Sequence, residues 1–139
     1  MAGTVFSVDI VTPDRQLASM PGVVSLVVPA EEGYLGVMAG HAPLLARLVP
    51  GQVTVKLASG AEEVFAVSGG FVEVGPGHVT ILADTAERPE DIDVARAEAA
   101  LQRARQRLEH PSEGVDIDRA RLALLRAEAR LRTAGRIPG

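Results

Sequence analysis

Apolar residues recur along this chain with two different periods, and the change falls near residue 86. In the first part the period is two. Phe6, Val8 and Ile10 alternate with Ser7 and Asp9 and stop at Thr12-Pro13-Asp14. An apolar run from Val23 to Val28, interrupted only at Ser25, stops at Pro29. Val53, Val55 and Leu57 alternate with Thr54 and Lys56, and Ala58-Ser59-Gly60-Ala61 turns the chain back into Val64-Phe65-Ala66-Val67. Gly70-Phe71-Val72-Glu73-Val74 meets the turn Gly75-Pro76-Gly77, after which Val79, Ile81 and Ala83 alternate again. Short alternating runs separated by Gly and Pro turns predict an antiparallel β-sandwich, or flattened barrel, over residues 1–86.

From Pro89 onward the period lengthens. Val94, Ala97, Leu101, Ala104 and Leu108 fall at offsets 0, 3, 7, 10 and 14, and Ile117, Ala120, Leu124, Ala127 and Leu131 repeat those offsets. These are the seams of two helices packed against each other, with His110-Pro111-Ser112-Glu113-Gly114 breaking the helix between them. Residues 87–139 therefore read as an antiparallel α-helical hairpin, with Asp91 and Asp116 as candidate N-caps and acids in each first turn. The seams are rich in Ala. At roughly 25 cal/mol per Å² of apolar burial, so small a contact makes a weakly held unit that can open.

Charge divides along the same line. Residues 1–86 carry an excess of acids, whereas 87–139 hold acids and bases in near balance, and every base there is Arg. Arg forms forked contacts with carboxylate or phosphate that Lys does not match. The net charge of -4 argues against general nucleic-acid binding. With no Cys, disulfides and thiolate metal sites are excluded, and His41, His78 and His110 stand in unlike contexts, so no metal site is expected. No apolar run is long enough to span a bilayer, and Met1 to Phe6 lack the features of a secretory leader, so a soluble, cytoplasmic chain is expected.

Several segments resemble one family. Gly33-Tyr34-Leu35-Gly36 with Gly40-His41-Ala42-Pro43-Leu44, Val67 to Val74, Val79 to Asp84, and Ile92-Asp93-Val94-Ala95-Arg96-Ala97 are similar, in order, to segments of bacterial F-type ATP synthase epsilon subunits. The resemblance covers about Val8 to Leu131. It implies a non-catalytic rotor subunit of the central stalk, peripheral to the cytoplasmic face of the plasma membrane. The sandwich would contact the gamma subunit and the ring of c subunits, through Glu31, Glu32, Tyr34 and His41. The hairpin would fold against the sandwich or extend into the alpha/beta catalytic hexamer and inhibit ATP hydrolysis, through Arg119, Arg121, Arg126, Arg130 and Arg132.

In some members of that family the folded hairpin binds ATP as a regulatory ligand, and no cofactor is required. Carried over by motif, Glu87, Asp93, Arg96 and Ala97 would hold the adenosine end, and Arg103, Arg126 and Arg130 the phosphates. By spacing alone, Arg96 and Arg103 share a face of the first helix, and Arg126 and Arg130 share one on the second. Each of the four precedes a seam residue, so each should flank the seam. An Asp93–Arg96 ion pair, worth roughly a few tenths of a kcal/mol, is the plain alternative for that pair.

Two other functions compete. One is an autonomous nucleotide-sensing binding protein whose output is hairpin opening. The other is a hydrolase or isomerase using His41 or Asp84, against which the sequence shows no Ser/His/Asp set at plausible geometry. Ser68-Gly69-Gly70 lacks the context of a phosphate-binding loop and reads as a β-bulge.

Overall fold

The computed structural model describes residues 4–138; Met1 to Gly3, part of the leader reading, and Gly139 lie outside the described residues. Among the described residues the first part contains nine strands: β1 (Phe6–Val11), β2 (Gln16–Ala30), β3 (Gly33–Val37), β4 (Leu44–Leu48), β5 (Gly51–Leu57), β6 (Glu62–Val67), β7 (Gly70–Gly75), β8 (His78–Ala83) and β9 (Ala86–Glu87). A 3-10 turn (Pro89–Asp91) leads into α1 (Val94–Glu109) and α2 (Ile117–Thr133). The expected sandwich followed by a helical hairpin is the architecture observed.

Neighbouring strands run in the order β1-β8-β7-β4-β2-β5-β6-β9, β3 also pairs with β2, and a β1–β2 pairing closes the sheet on itself. All pairings are antiparallel except β1 with β8. Inward positions carry the alternating apolar residues, including Val8, Ile10, Leu26, Val53, Val55, Val72 and Ile81, none of which is exposed at all. Phe65 is the largest fully buried side chain.

Strand β2 runs past both prolines that flank its apolar run. Pro29 is accommodated because its C=O accepts from Val49 N at 2.9 Å, so its ring nitrogen faces the same side. On that side the ladder with β5 has already ended at Val27. The missing N–H therefore costs no ladder bond.

Ser68-Gly69 is a connection rather than a bulge. It carries the chain from β6, paired with β5 and β9, to β7, paired with β4 and β8. Gly70, with φ 127°, lies so close to β8 that a Cβ would sit 2.0 Å from the Leu82 carbonyl oxygen. Only glycine fits there.

Asp93, not Asp91, caps α1: its Oδ1 accepts from Arg96 N at 3.1 Å. Asp91 falls in the preceding 3-10 turn, and the first turn of α1 holds no acid. Asp116 caps α2 in the same manner, from Arg119 N at 3.1 Å. The seam buries Ala97, Leu101, Ala127 and Leu131 as one cluster. Helix α2 also buries Ala129 and Thr133, four residues apart and outside that cluster. Since α2 packs on β5 and β6, this second stripe is its sheet-facing side. Thus α2 lies between α1 and the sandwich.

Candidate functional site

The short strand β9 is where the two parts meet. Its pairing with β6 fixes Glu87 opposite Ala66, within reach of α2. Arg130 Nε donates to Glu87 Oε1 at 2.6 Å, with both side chains about two-thirds buried. Next to it, Arg88 pairs with Glu63 at 3.0 Å and stacks 5.1 Å from the centroid of the Phe65 ring. Two neighbouring residues of opposite charge thus serve different parts of the molecule. Arg88 seals the sandwich, while Glu87 reaches out to the hairpin.

Arg126 and Arg130 are half-buried and line a cavity of about 10 Å³ with Glu87, Ser68 and Thr85. The two hydroxyls there bond each other at 2.7 Å. The space admits about one water and no nucleotide. Arg96 and Arg103 are exposed on α1, and Arg103 borders a separate groove of about 380 Å³ with Gln106, Arg107 and His110. Ala97 is buried in the seam. The structure therefore gathers Glu87, Arg126 and Arg130 at one place and sets Arg103 at another. Asp93 meets Arg96 through the backbone cap, so no ion pair forms between their side chains.

The β2–β3 hairpin carries the other expected contact set. Glu31 pairs with Arg47 at 3.4 Å, with both side chains largely exposed, and Glu32 is exposed. Tyr34 is 58% exposed, yet its hydroxyl accepts from Gln52 N at 3.3 Å, which pins the ring over the start of β5. Glu31, Glu32 and Tyr34 border one groove of about 490 Å³ with Leu35, Leu44 and Arg47. His41 stands apart in the β3–β4 loop, its Nδ1 2.7 Å from the Ala42 carbonyl. Asp84 is exposed at the end of β8, where its N–H donates to Gly69 O, in no cleft with His41.

Two features escaped the sequence reading. The outward face of β4, β7 and β8 exposes Leu45, Phe71 and Leu82. Phe71 lies opposite both Leu82 and Arg47, and the Arg47 guanidinium sits 5.3 Å from the Phe71 ring centroid. The signal was consecutive apolar residues, Leu44-Leu45 and Ile81-Leu82, where alternation should have placed a polar one. The face lies on strands other than β5 and β6, on which α2 packs.

The second is a Ser/His/Asp cluster, contrary to the expectation that none would form. Ser7 Oγ is 2.6 Å from His78 Nδ1, and His78 Nε2 is 3.4 Å from Asp9 Oδ2, which sequence distance concealed. The parallel β1–β8 ladder places Ser7 beside His78, with Asp9 one pleat along. The cluster lies on a sheet face. Strand β1 is paired on both sides, so its N–H groups are spent in the ladders and leave no backbone pair for an oxyanion. Asp9 also accepts from Ser19 Oγ at 2.7 Å. The arrangement is a polar cross-strand network. Among the described residues, no group of three or more His, Asp or Glu is placed to hold a metal ion, and no helix is long and apolar enough to cross a membrane.

Comparison with known proteins agrees with this two-part architecture. Residues 5–89 match a family model described as ATP synthase, delta/epsilon chain, beta-sandwich domain, and residues 90–135 match its long alpha-helix domain. An ATP synthase epsilon chain of Moorella thermoacetica is 49% identical over 94% of this chain and 97% of its own length. One of Bacillus pumilus is 51% identical over 76% of this chain and 79% of its own. Among solved structures, a chain of the Euglena gracilis mitochondrial ATP synthase (OSCP/F1/c-ring) aligns with TM-score 0.80 and 30% identity, over 94% of this chain and 81% of that one. A chain of the Tetrahymena thermophila central stalk and c-ring shares the fold, at TM-score 0.57 and 17% identity over 94% and 93%. The sandwich, the hairpin and the relatives that share both place this chain in the ATP synthase delta/epsilon family, among the epsilon chains.

Proposed function

We propose that the chain is a non-catalytic rotor subunit of the central stalk, which joins the gamma subunit to the ring of c subunits and restrains ATP hydrolysis through its hairpin. The observation that carries the anchoring role is the apolar outward face formed by Leu45, Phe71 and Leu82. Exposed apolar side chains on one face of three strands, with Phe71 directly opposite Leu82, are costly in water and are stabilised by a protein partner. The gamma subunit is that partner in this reading. The β2–β3 hairpin, with Glu31, Glu32 and Tyr34 around one groove, and His41 beyond it, supplies polar contacts to gamma and the c-ring. As part of that complex the chain sits at the cytoplasmic face of the plasma membrane.

The regulatory role rests on how weakly α2 is held. Its sheet-facing stripe offers Ala129 and Thr133, and the Thr133 hydroxyl is buried without a hydrogen-bond partner. An unpaired buried hydroxyl costs about 1–3 kcal/mol. Docking is opposed by that penalty and supported by the Glu87–Arg130 pair. Such a hairpin can leave the sandwich and carry Arg119, Arg121, Arg126, Arg130 and Arg132 to acidic segments of the alpha/beta hexamer. ATP is the regulatory ligand of the folded state, through Glu87, Asp93, Arg96, Ala97, Arg103, Arg126 and Arg130. Binding requires the small cavity at Arg126 and Arg130 to widen and Arg130 to exchange Glu87 for a phosphate. A ligand favours the folded state only by its differential affinity for it.

Co-expression with gamma tests the anchor: the wild-type chain should co-purify with gamma, and a Phe71→Ser, Leu82→Ser variant should not. Loss of co-purification by neither chain, or by the wild type, would remove the anchoring role.

A further inference from the structure

We propose that the loop end of the hairpin carries an anion site of its own, in which Arg107 of α1 and Arg119 of α2 clamp a pyrophosphate-class anion. Neither residue belongs to the nucleotide set above, and the proposal stands whether or not the chain binds ATP.

Arg107 and Arg119 line the same groove of about 520 Å³, with Arg126 at its inner edge. The seam explains why they meet. Ala104 and Ala120 are both buried, Arg107 lies one turn beyond Ala104, and Arg119 immediately precedes Ala120. Antiparallel packing therefore brings both guanidinium groups to the end of the hairpin nearest residues 110–116.

None of Arg107, Arg119 and Arg126 has an ion-pair partner among the described residues. The acids nearby form no ion pair with Arg107 or Arg119. Asp116, which also lines the groove, spends Oδ1 on the Arg119 N–H, and Asp118 pairs with Arg121 at 3.8 Å. Arg107 has a local explanation, since it stands in the last turn of α1, where the helix dipole favours a cation. Arg119 has none. It is the third residue of α2, where the dipole opposes a positive charge. Two guanidinium groups without ion-pair partners facing one groove, one of them set against the helix dipole, match a multiply charged anion with several acceptor oxygens. Occupancy would bridge α1 to α2 at the loop and hold the hairpin closed.

The test is titration calorimetry of the full chain with pyrophosphate at low salt, ATP absent. Saturable binding should appear in the wild type and in Arg96→Gln, and should weaken about ten-fold or more in Arg107→Gln plus Arg119→Gln, the scale of losing charge-assisted contacts. Both positions are exposed and unpaired, and unchanged helical circular dichroism would show that the double variant stays folded. Added salt should weaken binding in the wild type. Absence of saturable binding by the wild type overturns the proposal. So does an equal loss in Arg96→Gln, which would move the anion to the other end of the hairpin.

Discussion

Arg130 Nε reaches Glu87 Oε1 at 2.6 Å, and this single contact ties the later turns of α2 to the last strand of the sheet. Because the pair is only partly desolvated, its removal should be felt without unfolding either part. Glu87→Gln keeps the shape and removes the charge. We expect docking to weaken by about 1 kcal/mol, which hydrogen exchange would report as roughly five-fold faster opening of α2 amides with β5 unchanged. Equal exchange in both proteins would show that the pair holds nothing.

Thr133 provides the opposite perturbation. Thr133→Val keeps the branched shape and deletes the unpaired hydroxyl. Docking should strengthen by about 1 kcal/mol, with slower α2 exchange and less inhibition of hydrolysis in the assembled complex. A destabilised hairpin would mean that the hydroxyl is satisfied in solution.

The nucleotide reading makes its own demand. Arg103→Ala plus Arg126→Ala should lower ATP affinity at least about ten-fold in calorimetry, through lost charge-assisted contacts. Arg136→Ala, beyond the end of α2, should leave it unchanged. Equal affinity in all three chains would remove these arginines from the site.

Gly70 tests the sandwich itself. With φ 127° and a Leu82 carbonyl oxygen 2.0 Å from any added Cβ, Gly70→Ala must displace backbone. A loss of about 3 kcal/mol or more is expected. Gly36→Ala, with nothing within 4 Å and no positive φ, should cost less than about 1 kcal/mol. Similar melting temperatures for the two variants would contradict the close approach of β7 to β8.

Much of this was legible in the pattern of apolar residues. Alternation from Phe6 to Ala83 and the repeated seam from Val94 to Leu131 specify the two parts, because burial on one face imposes a period. The second face of α2 was not legible, since Ala129 and Thr133 are small and carry little hydrophobic signal. The cap of α1 moved from Asp91 to Asp93 because Pro89 opens a separate 3-10 turn, which consumes the earlier acids. Pattern reading also missed the meeting of Ser7, Asp9 and His78, which depends on a parallel pairing between the first strand and the eighth. The motif residues near the hairpin were found, but their division between two places was set by side-chain packing that spacing does not encode.

The central claim is that the sandwich anchors the chain and the hairpin regulates. A chain ending at Arg88 tests it most directly, because it keeps the Arg88 contacts to Glu63 and Phe65 that complete the sandwich. The measurement is ATP hydrolysis by the complex assembled with this truncated chain, beside complex assembled with the full one. The account predicts that gamma and the c-ring still assemble with it and that hydrolysis rises. Unchanged hydrolysis in a fully assembled complex would contradict it.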